Sequence, residues 1–198
     1  MHIIRLTPGF VSVTGAFMRN AVFIDRDDTL IRNDGDLGDP AGVVLMPGAV
    51  EAVALLARRY LLIVVTNQGG VARGRYDEDA VHAVHQRIDE LLQENGAPRI
   101  HAYYFCPFHP QGTVPYYTRE HPWHKPAPGM MLAAARDHDI SLTSSWLVGD
   151  QVRDVQAGKA AGCRTILLLN DGEKPETADF CCPDILAAAN LICEIDDS

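Results

Sequence analysis

Residues 21–30 read AVFIDRDDTL. Four apolar residues, Ala21 to Ile24, run without a break into Asp25, and two more carboxylates follow at Asp27 and Asp28. An apolar run this short and unbroken reads as a parallel strand buried on both faces, delivering Asp25 at its C-terminal end. Open α/β sheets bind their ligands at that edge. The stretch therefore predicts both a fold class and the place where chemistry occurs.

The rest of the chain repeats the pattern. Residues 32–46 are rich in Gly and Asp without a period and read as a loop or flap. Pro47-Gly48 opens a helix reaching to Arg59. Leu61–Val65 is a second strand, followed by Thr66-Asn67-Gln68-Gly69-Gly70. Asp77 caps a long helix with Val81, Val84, Ile88, Leu91 and Leu92 on one face and Gly96 as its stop. Residues 101–105 read as a third strand. Cys106 to His124 is irregular, and a loop this long in a compact domain is usually functional. A helix over about Pro128–His138 precedes a strand, Trp146–Val148, that ends in Gly149-Asp150. A helix over Val152–Ala161, a strand over Thr165–Leu169, a strand near Phe180 and a helix near Asp184–Ile192 complete the chain. The alternation predicts an α/β fold with a doubly wound, mostly parallel sheet.

Composition sets the boundaries of function. The 198 residues are 47% hydrophobic and 22% charged, an ordinary globular balance that excludes a disordered chain. A net charge of −9 argues against nucleic acid or an anionic membrane as partner. It leaves room for a phosphorylated ligand held by a metal, backbone N–H groups and a lysine. No apolar run approaches the length of a membrane span. Five cysteines with no C-x-x-C spacing read as reduced thiols of a cytoplasmic protein. Residues 1–18 read as an N-terminal extension, with Met1 or Met18 as the start, and 19–198 as one domain. A monomer is expected.

Four features carry chemistry: Asp25 with Asp27, Thr66 with Asn67, Lys125 before Pro126, and Gly149-Asp150 with Asp154. Each alone has an ordinary explanation, as a helix cap, a turn or a surface lysine. Together, three of them end strands on one sheet edge. Carboxylates gathered from separate strands repel unless a cation sits among them. Mg²⁺ would fill that role and retain room for a phosphate oxygen. Asp25 could then attack phosphorus, and Asp27 could protonate the leaving oxygen and later deprotonate water. Thr66 and Lys125 would hold the phosphoryl oxygens. A receiver domain has a similar acidic pocket, but places its acidic pair on the first strand and its phospho-acceptor on a later one. A catalytically silent sugar-phosphate binding module is the remaining alternative.

VFIDRDDTL, VVTNQGGVARG, HKPAPGM and LVGDQVRD resemble the four motifs of the haloacid dehalogenase (HAD) superfamily of phosphatases. Within it the pattern is most similar to the heptose-1,7-bisphosphate 7-phosphatases, of the histidinol-phosphatase-like subgroup. The resemblance implies a Rossmannoid core without a cap, because the stretches between Asp25, Thr66 and Lys125 are too short for one. It makes Asp25 the nucleophile, Asp27 the general acid/base, and Thr66 and Lys125 the phosphoryl stabilisers. Mg²⁺ would bind the Asp25 carboxylate, the Asp27 backbone carbonyl and the Asp150 carboxylate. Substrate contacts map onto Asn33, Asp34, Gly35 and Asp36, onto Asn67, Gln68 and Gly69 beside Thr66, and onto His124 beside Lys125. The implied substrate is a small phosphorylated metabolite, a sugar bisphosphate of lipopolysaccharide-precursor synthesis, with histidinol phosphate or another small ester as the alternative.

The sequence departs from the family pattern in three places. Asp28 stands at a motif glycine, and Gly69 where these phosphatases usually have Ser. In many relatives the long loop carries a zinc site. Here Cys106 matches its first ligand, while Phe108, His121 and Trp123 replace the others and His124 replaces an Arg. Zinc loss is the favoured reading, with Cys106, His109, His121 and His124 as a possible ligand set in a shifted register.

Overall fold

A computed structural model describes residues 18–33, 35–169 and 178–197. Of the expected N-terminal extension only Met18 is among them, and Asp34 also lies outside the described residues. In chain order the elements are β1 (Ala21–Ile24), α1 (Ala49–Leu56), β2 (Leu61–Asn67), α2 (Gly69–Ala72), α3 (Glu78–Glu94), β3 (Ala102–Cys106), α4 (Gly129–His138), β4 (Trp146–Gly149), α5 (Val152–Ala161), β5 (Arg164–Leu168), β6 (Phe180–Cys182) and α6 (Ile185–Asp196). The strands form one sheet in the order β3-β2-β1-β4-β5-β6. Every pairing in it is parallel, so "mostly parallel" understated the fold.

The two-residue period of a strand separates two cores. Val22 and Ile24 of β1 join Leu62, Val64, Trp146 and Val148 on one face, under α1, α3 and α6. Ala21 and Phe23 join Leu61, Ile63, Val65 and Leu147 on the other, under α4 and α5. The chain therefore winds on both faces. It progresses one way from β1 to β3 and the other way from β4 to β6. The reversal falls between β1 and β4, the switch point where such sheets bind ligands. Asp25 and Asp150 follow those two strands directly.

Several boundaries differ from the sequence reading. β2 continues through Thr66 and Asn67, which pair with Phe105 and Cys106 of β3. The apolar period ends at Val65, but the ladder does not need apolar side chains to continue. The short α2 was not expected, since its Gly-Gly start carries no helix signal. α6 extends past Ile192 to Asp196. There Asp196 accepts from Tyr60 and Arg164, which anchors the last turn to the sheet's lower end. Among the described residues no helix is long and apolar enough to cross a membrane.

Under α3 the interior holds a histidine. His85 of α3 is 4% exposed, stacks on Tyr103 at 4.3 Å and finds no hydrogen-bond partner for either ring nitrogen. Burial, and then the charges of Arg26 and His82, push its pKa down to about 3. The unfolded chain therefore takes up a proton below the ordinary histidine value that the folded chain refuses. This contribution leaves stability intact above about pH 6.5 and erodes it as pH falls, by at most about 1.4 kcal/mol per pH unit. Urea unfolding of wild type and His85→Phe at pH 7.5 and pH 5 checks this. The variant should gain about 2 kcal/mol relative to wild type on going to pH 5. An unchanged difference would refute a neutral, buried His85.

Candidate active site

The backbone N–H of Asp25 donates to Val148 O at 2.9 Å, pinning the end of β1 to β4. The side chain is 4% exposed. Its Oδ1 accepts from the Arg26 N–H at 2.8 Å and from Lys125 Nζ at 2.7 Å. Lys125, 1% exposed, also donates to Val65 O at 2.8 Å and lies 2.6 Å from Asp154 Oδ1. One ammonium thus ties β1, β2 and α5 together. The long loop delivers it because Asn67 clamps its backbone. Asn67 Oδ1 accepts from Lys125 N at 2.9 Å, and Asn67 Nδ2 donates to Lys125 O at 3.0 Å.

Asp154 reaches the cluster from the first turn of α5, where its other oxygen accepts from the Gln151 N–H in a capping box. A glycine must precede it on β4. A Cβ at Gly149 would stand 2.6 Å from Asp154 Cβ and close the space that Asp154 occupies. Asp150 completes the group, with Gln151 Nε2 on its Oδ2 at 2.6 Å. Oxygens of Asp25, Asp150 and Asp154 lie within 4.8 Å of one another. Burial, then the Asp154 charge, raise the Asp25 carboxyl to about 8 against the opposing pull of Lys125. Burial likewise raises Asp150. Burial alone would lower Lys125, but Asp25 and Asp154 outweigh it and leave its pKa raised. Asp154 Oδ1 has no hydrogen-bond partner beyond the ion pair. An all-oxygen set with excess negative charge suits a hard divalent cation such as Mg²⁺. A cavity of about 370 Å³, lined by Asp28, Thr29, Met46, Asp150 and Pro183 among others, opens beside it.

Asp27 turns to a second group of partners. Its carboxylate accepts from Arg26, from Gln68 Nε2 at 2.8 Å and from Thr66 Oγ1 at 3.4 Å. Asp28 adopts φ +54°, which explains a motif glycine there. Asp is among the few residues that tolerate this conformation, and its Oδ1 accepts from the Asn33 N–H at 2.9 Å.

Two residues expected on the substrate are otherwise engaged. Gln68 is 1% exposed, and its amide serves Asp27, Thr66, Arg26 and Tyr76. Asn67 is committed to Lys125. Asn33, Gly35 and Asp36 lie on the flap over the sheet edge, where Asp36 pairs with Arg73 and Arg75 of the α2 end. Gly69 starts α2, and a Cβ there would approach Arg73 Nη1 to 2.9 Å. The sequence reading did not use Arg26 or Tyr76; nothing in residue type alone tells that they turn inward.

The shifted zinc set is not assembled. His121 stacks on Phe108 at 4.3 Å, and its Nδ1 accepts from the Trp123 N–H. His109 Nδ1 accepts from the Gln111 N–H, while its ring meets His124 edge to face at 5.3 Å. Cys106 is buried with its thiol toward Phe108 O at 3.7 Å. Among the described residues, only Asp25, Asp150 and Asp154 gather three ligand atoms. Arg119 over Phe108, and Tyr117 beside it, hold the loop by ring packing.

Comparison with known proteins fits this geometry. A HAD-hydrolase-like family model matches residues 122–191. A D-glycero-alpha-D-manno-heptose-1,7-bisphosphate 7-phosphatase of Burkholderia mallei is 42% identical over 163 residues, 81% of this chain and 86% of that one. The D-glycero-beta-D-manno-heptose-1,7-bisphosphate 7-phosphatase of Rhodopseudomonas palustris is 41% identical over 145 residues, 73% and 80% of the two chains. The crystal structure of D,D-heptose 1,7-bisphosphate phosphatase from B. bronchiseptica, complexed with magnesium and phosphate, superposes with a TM-score of 0.77 at 29% identity. It covers 89% of this chain and 99% of that one.

The cluster should depend on its one buried ammonium. Lys125→Met keeps the stem and removes the charge, leaving Asp25 and Asp154 facing each other. Breaking such a buried pair costs about 3–5 kcal/mol. Thermal melting should show the loss, and added Mg²⁺ should narrow the gap to wild type by supplying the missing positive charge. Equal stability of the two proteins would refute the cluster's dependence on Lys125.

Proposed function

The chain belongs to the heptose-1,7-bisphosphate 7-phosphatase family of HAD-like hydrolases, and on that premise we propose that it removes the 7-phosphate of D-glycero-D-manno-heptose 1,7-bisphosphate through an aspartyl-phosphate on Asp25. The observation that carries this is the meeting of Asp25, Lys125, Asp150 and Asp154 at the switch point of the sheet. A buried carboxylate beside an ammonium and an acidic, oxygen-only group is arranged to attack a phosphate ester rather than merely to bind one.

In this reading Asp25 attacks phosphorus, the ester P–O bond breaks, and Asp27 gives its proton to the departing sugar oxygen. Water then attacks the aspartyl-phosphate, Asp27 takes the proton back, and inorganic phosphate leaves with Asp25 restored. The Thr66 hydroxyl and the Lys125 ammonium hold the transferring oxygens. Asp25, the Asp27 backbone carbonyl and Asp150 would hold Mg²⁺, which would supply the positive charge needed to keep Asp25 ionised at neutral pH and to neutralise the phosphoryl group. Asp154 holds Lys125 in place. Asp28 takes the glycine's conformation, which supports retained activity.

The flap residues Asn33 to Asp36, together with Gly69 and His124, are proposed to receive the sugar and its distal phosphate. One observation favours a second reading, histidinol phosphate or another small monophosphate. His124 stands where the family pattern has Arg, and burial, with the charge of neighbouring His109, lowers its pKa. A neutral imidazole is a poorer partner for a second phosphate than a guanidinium. The role assigned within lipopolysaccharide-precursor synthesis follows the family. A cytoplasmic location is supported by five free thiols, and a monomer by the scatter of the large exposed apolar side chains. The 106–124 loop is proposed to be held by ring packing rather than zinc, and metal analysis of the purified protein should find no stoichiometric zinc.

The test is a panel of esters with Mg²⁺. Heptose bisphosphate should give the highest kcat/KM, ahead of histidinol phosphate and simple sugar phosphates. Asp25→Asn should abolish turnover, and chelation should remove activity that Mg²⁺ restores. A folded, Mg²⁺-binding protein with no turnover on any ester would make the chain a binding module and end this reading.

A further inference from the structure

Arg26 lies between the proposed nucleophile and the proposed proton carrier, and it has no exposed surface. A buried guanidinium is costly unless its hydrogen-bonding fork is matched. The match is a single carboxylate. Arg26 Nε lies 3.1 Å from Asp27 Oδ1, and Nη2 lies 3.0 Å from Oδ1 and 3.2 Å from Oδ2. Nη2 also donates to Gln68 Oε1 at 2.9 Å. Gln68 closes the ring by donating Nε2 to Asp27 Oδ2 and to Thr66 Oγ1, both at 2.8 Å. Tyr76 fixes the amide's orientation from the other side, its hydroxyl donating to Oε1 at 2.8 Å.

We propose that Arg26 is a positioning residue for proton transfer: with Gln68 it holds the Asp27 carboxylate beside Thr66, where the departing ester oxygen must receive its proton. This rests on the reading of Asp25 and Asp27 above. The physical reason is rotational freedom. A free aspartate swings about two torsions and stands in the productive orientation only part of the time. A fork bonded to both oxygens, backed by an amide that also grips Thr66, removes that freedom before substrate arrives. Packing alone does not explain an arginine here. An apolar side chain would fill the space without a charge to bury, and Nη1 remains without a partner even so. Among the described residues the guanidinium's one carboxylate partner is Asp27.

In the step concerned, Asp27 first takes a proton from solvent on Oδ2, in place of the long 3.4 Å contact from Thr66, while Arg26 stays on Oδ1. The Asp25–phosphorus bond then forms as the ester bond breaks, and that proton moves to the alkoxide oxygen. An alkoxide needs that proton; a nitrophenolate leaves without it. The experiment therefore compares kcat/KM, which reads steps through the first departure, for an alkyl phosphate and for p-nitrophenyl phosphate with Mg²⁺. Arg26→Gln should lose about 100-fold on the alkyl ester, the lower end of what a general acid supplies, and less than about 10-fold on the aryl ester. Gln68→Leu should show the same asymmetry to a smaller degree and carries the test if Arg26→Gln fails to fold. Asp27→Asn is the reference. If it shows the asymmetry and the folded Arg26 and Gln68 variants lose both esters equally, the positioning role is overturned while the Asp27 assignment stands. If Asp27→Asn itself loses both equally, the assignment of Asp27 falls, and the proposal with it.

Discussion

The Lys125 ammonium, between the carboxylates of Asp25 and Asp154, is the contact on which the site depends. All three side chains are nearly or fully buried. Ionised groups in such surroundings cost several kcal/mol each unless they are paired. Lys125 offsets that cost for two carboxylates at once, and its third bond, to Val65 O, fixes where it stands. The pairing also ties remote chain segments together, since Lys125 follows a long loop, Asp25 a central strand and Asp154 opens a helix. Excess negative charge remains after this one cation. That surplus, with Asp150 alongside, is what gives a divalent ion a reason to bind.

The sheet supplies the convergence. Parallel strands with helical crossovers put all their C-terminal ends on one edge. Reversal of the winding between β1 and β4 then keeps helices from covering the ends of those two strands. Asp25 and Asp150 stand there for that reason. The two cores on either face make the strands rigid, so the carboxylates are held by elements that cannot retreat from one another. Their repulsion is relieved by a cation or by proton uptake, because the backbone is not free to relax.

How much of this could be read in the sequence depended on which physical link carried it. Strand positions were legible, because buried parallel strands are short apolar runs and AVFI, LLIVV and WLV are such runs. The gathering of Asp25, Thr66 and Asp150 was legible because topology, not side-chain detail, brings strand ends together; Lys125 arrives from the loop, held by Asn67. Asp154 was visible as a carboxylate on the same edge, but not as the partner of Lys125. For Gln68 and Asn67 the position was legible but the partner was not. Polar residues beside a catalytic strand end can face the ligand or support the residues that do, and only packing decides. Both support here: Asn67 holds the Lys125 backbone and Gln68 holds Asp27. The histidines of the long loop show the same division. Spacing counted possible ligands, yet aromatic stacking and backbone amides had already engaged His121 and His109.

A division of charge among three consecutive residues explains why two nearly adjacent aspartates can take different parts. Asp25 and Asp27 are flanked by two buried cations, and the cations do not share them. Lys125 bonds Asp25, and Arg26 bonds Asp27. β1 ends at Ile24 and the chain bends at Arg26 into a turn, where Leu30 N and Ile31 N both donate to Arg26 O; Arg26 meets its carboxylate on the flank lined by Gln68 and Tyr76. The consequence is asymmetric surroundings for identical side chains. Asp25 shares its site with a point charge and two further carboxylates, a setting for a nucleophile whose charge a metal ion completes. Asp27 is held by a planar fork and an amide, a setting that fixes orientation and leaves the side chain 19% exposed. The net charge of −9 is thus no obstacle to an anionic substrate. At the site Arg26 neutralises Asp27 and Lys125 is shared by Asp25 and Asp154. What an anionic group meets is therefore set by these cations and by any divalent ion the remaining acidic charge attracts, not by the total.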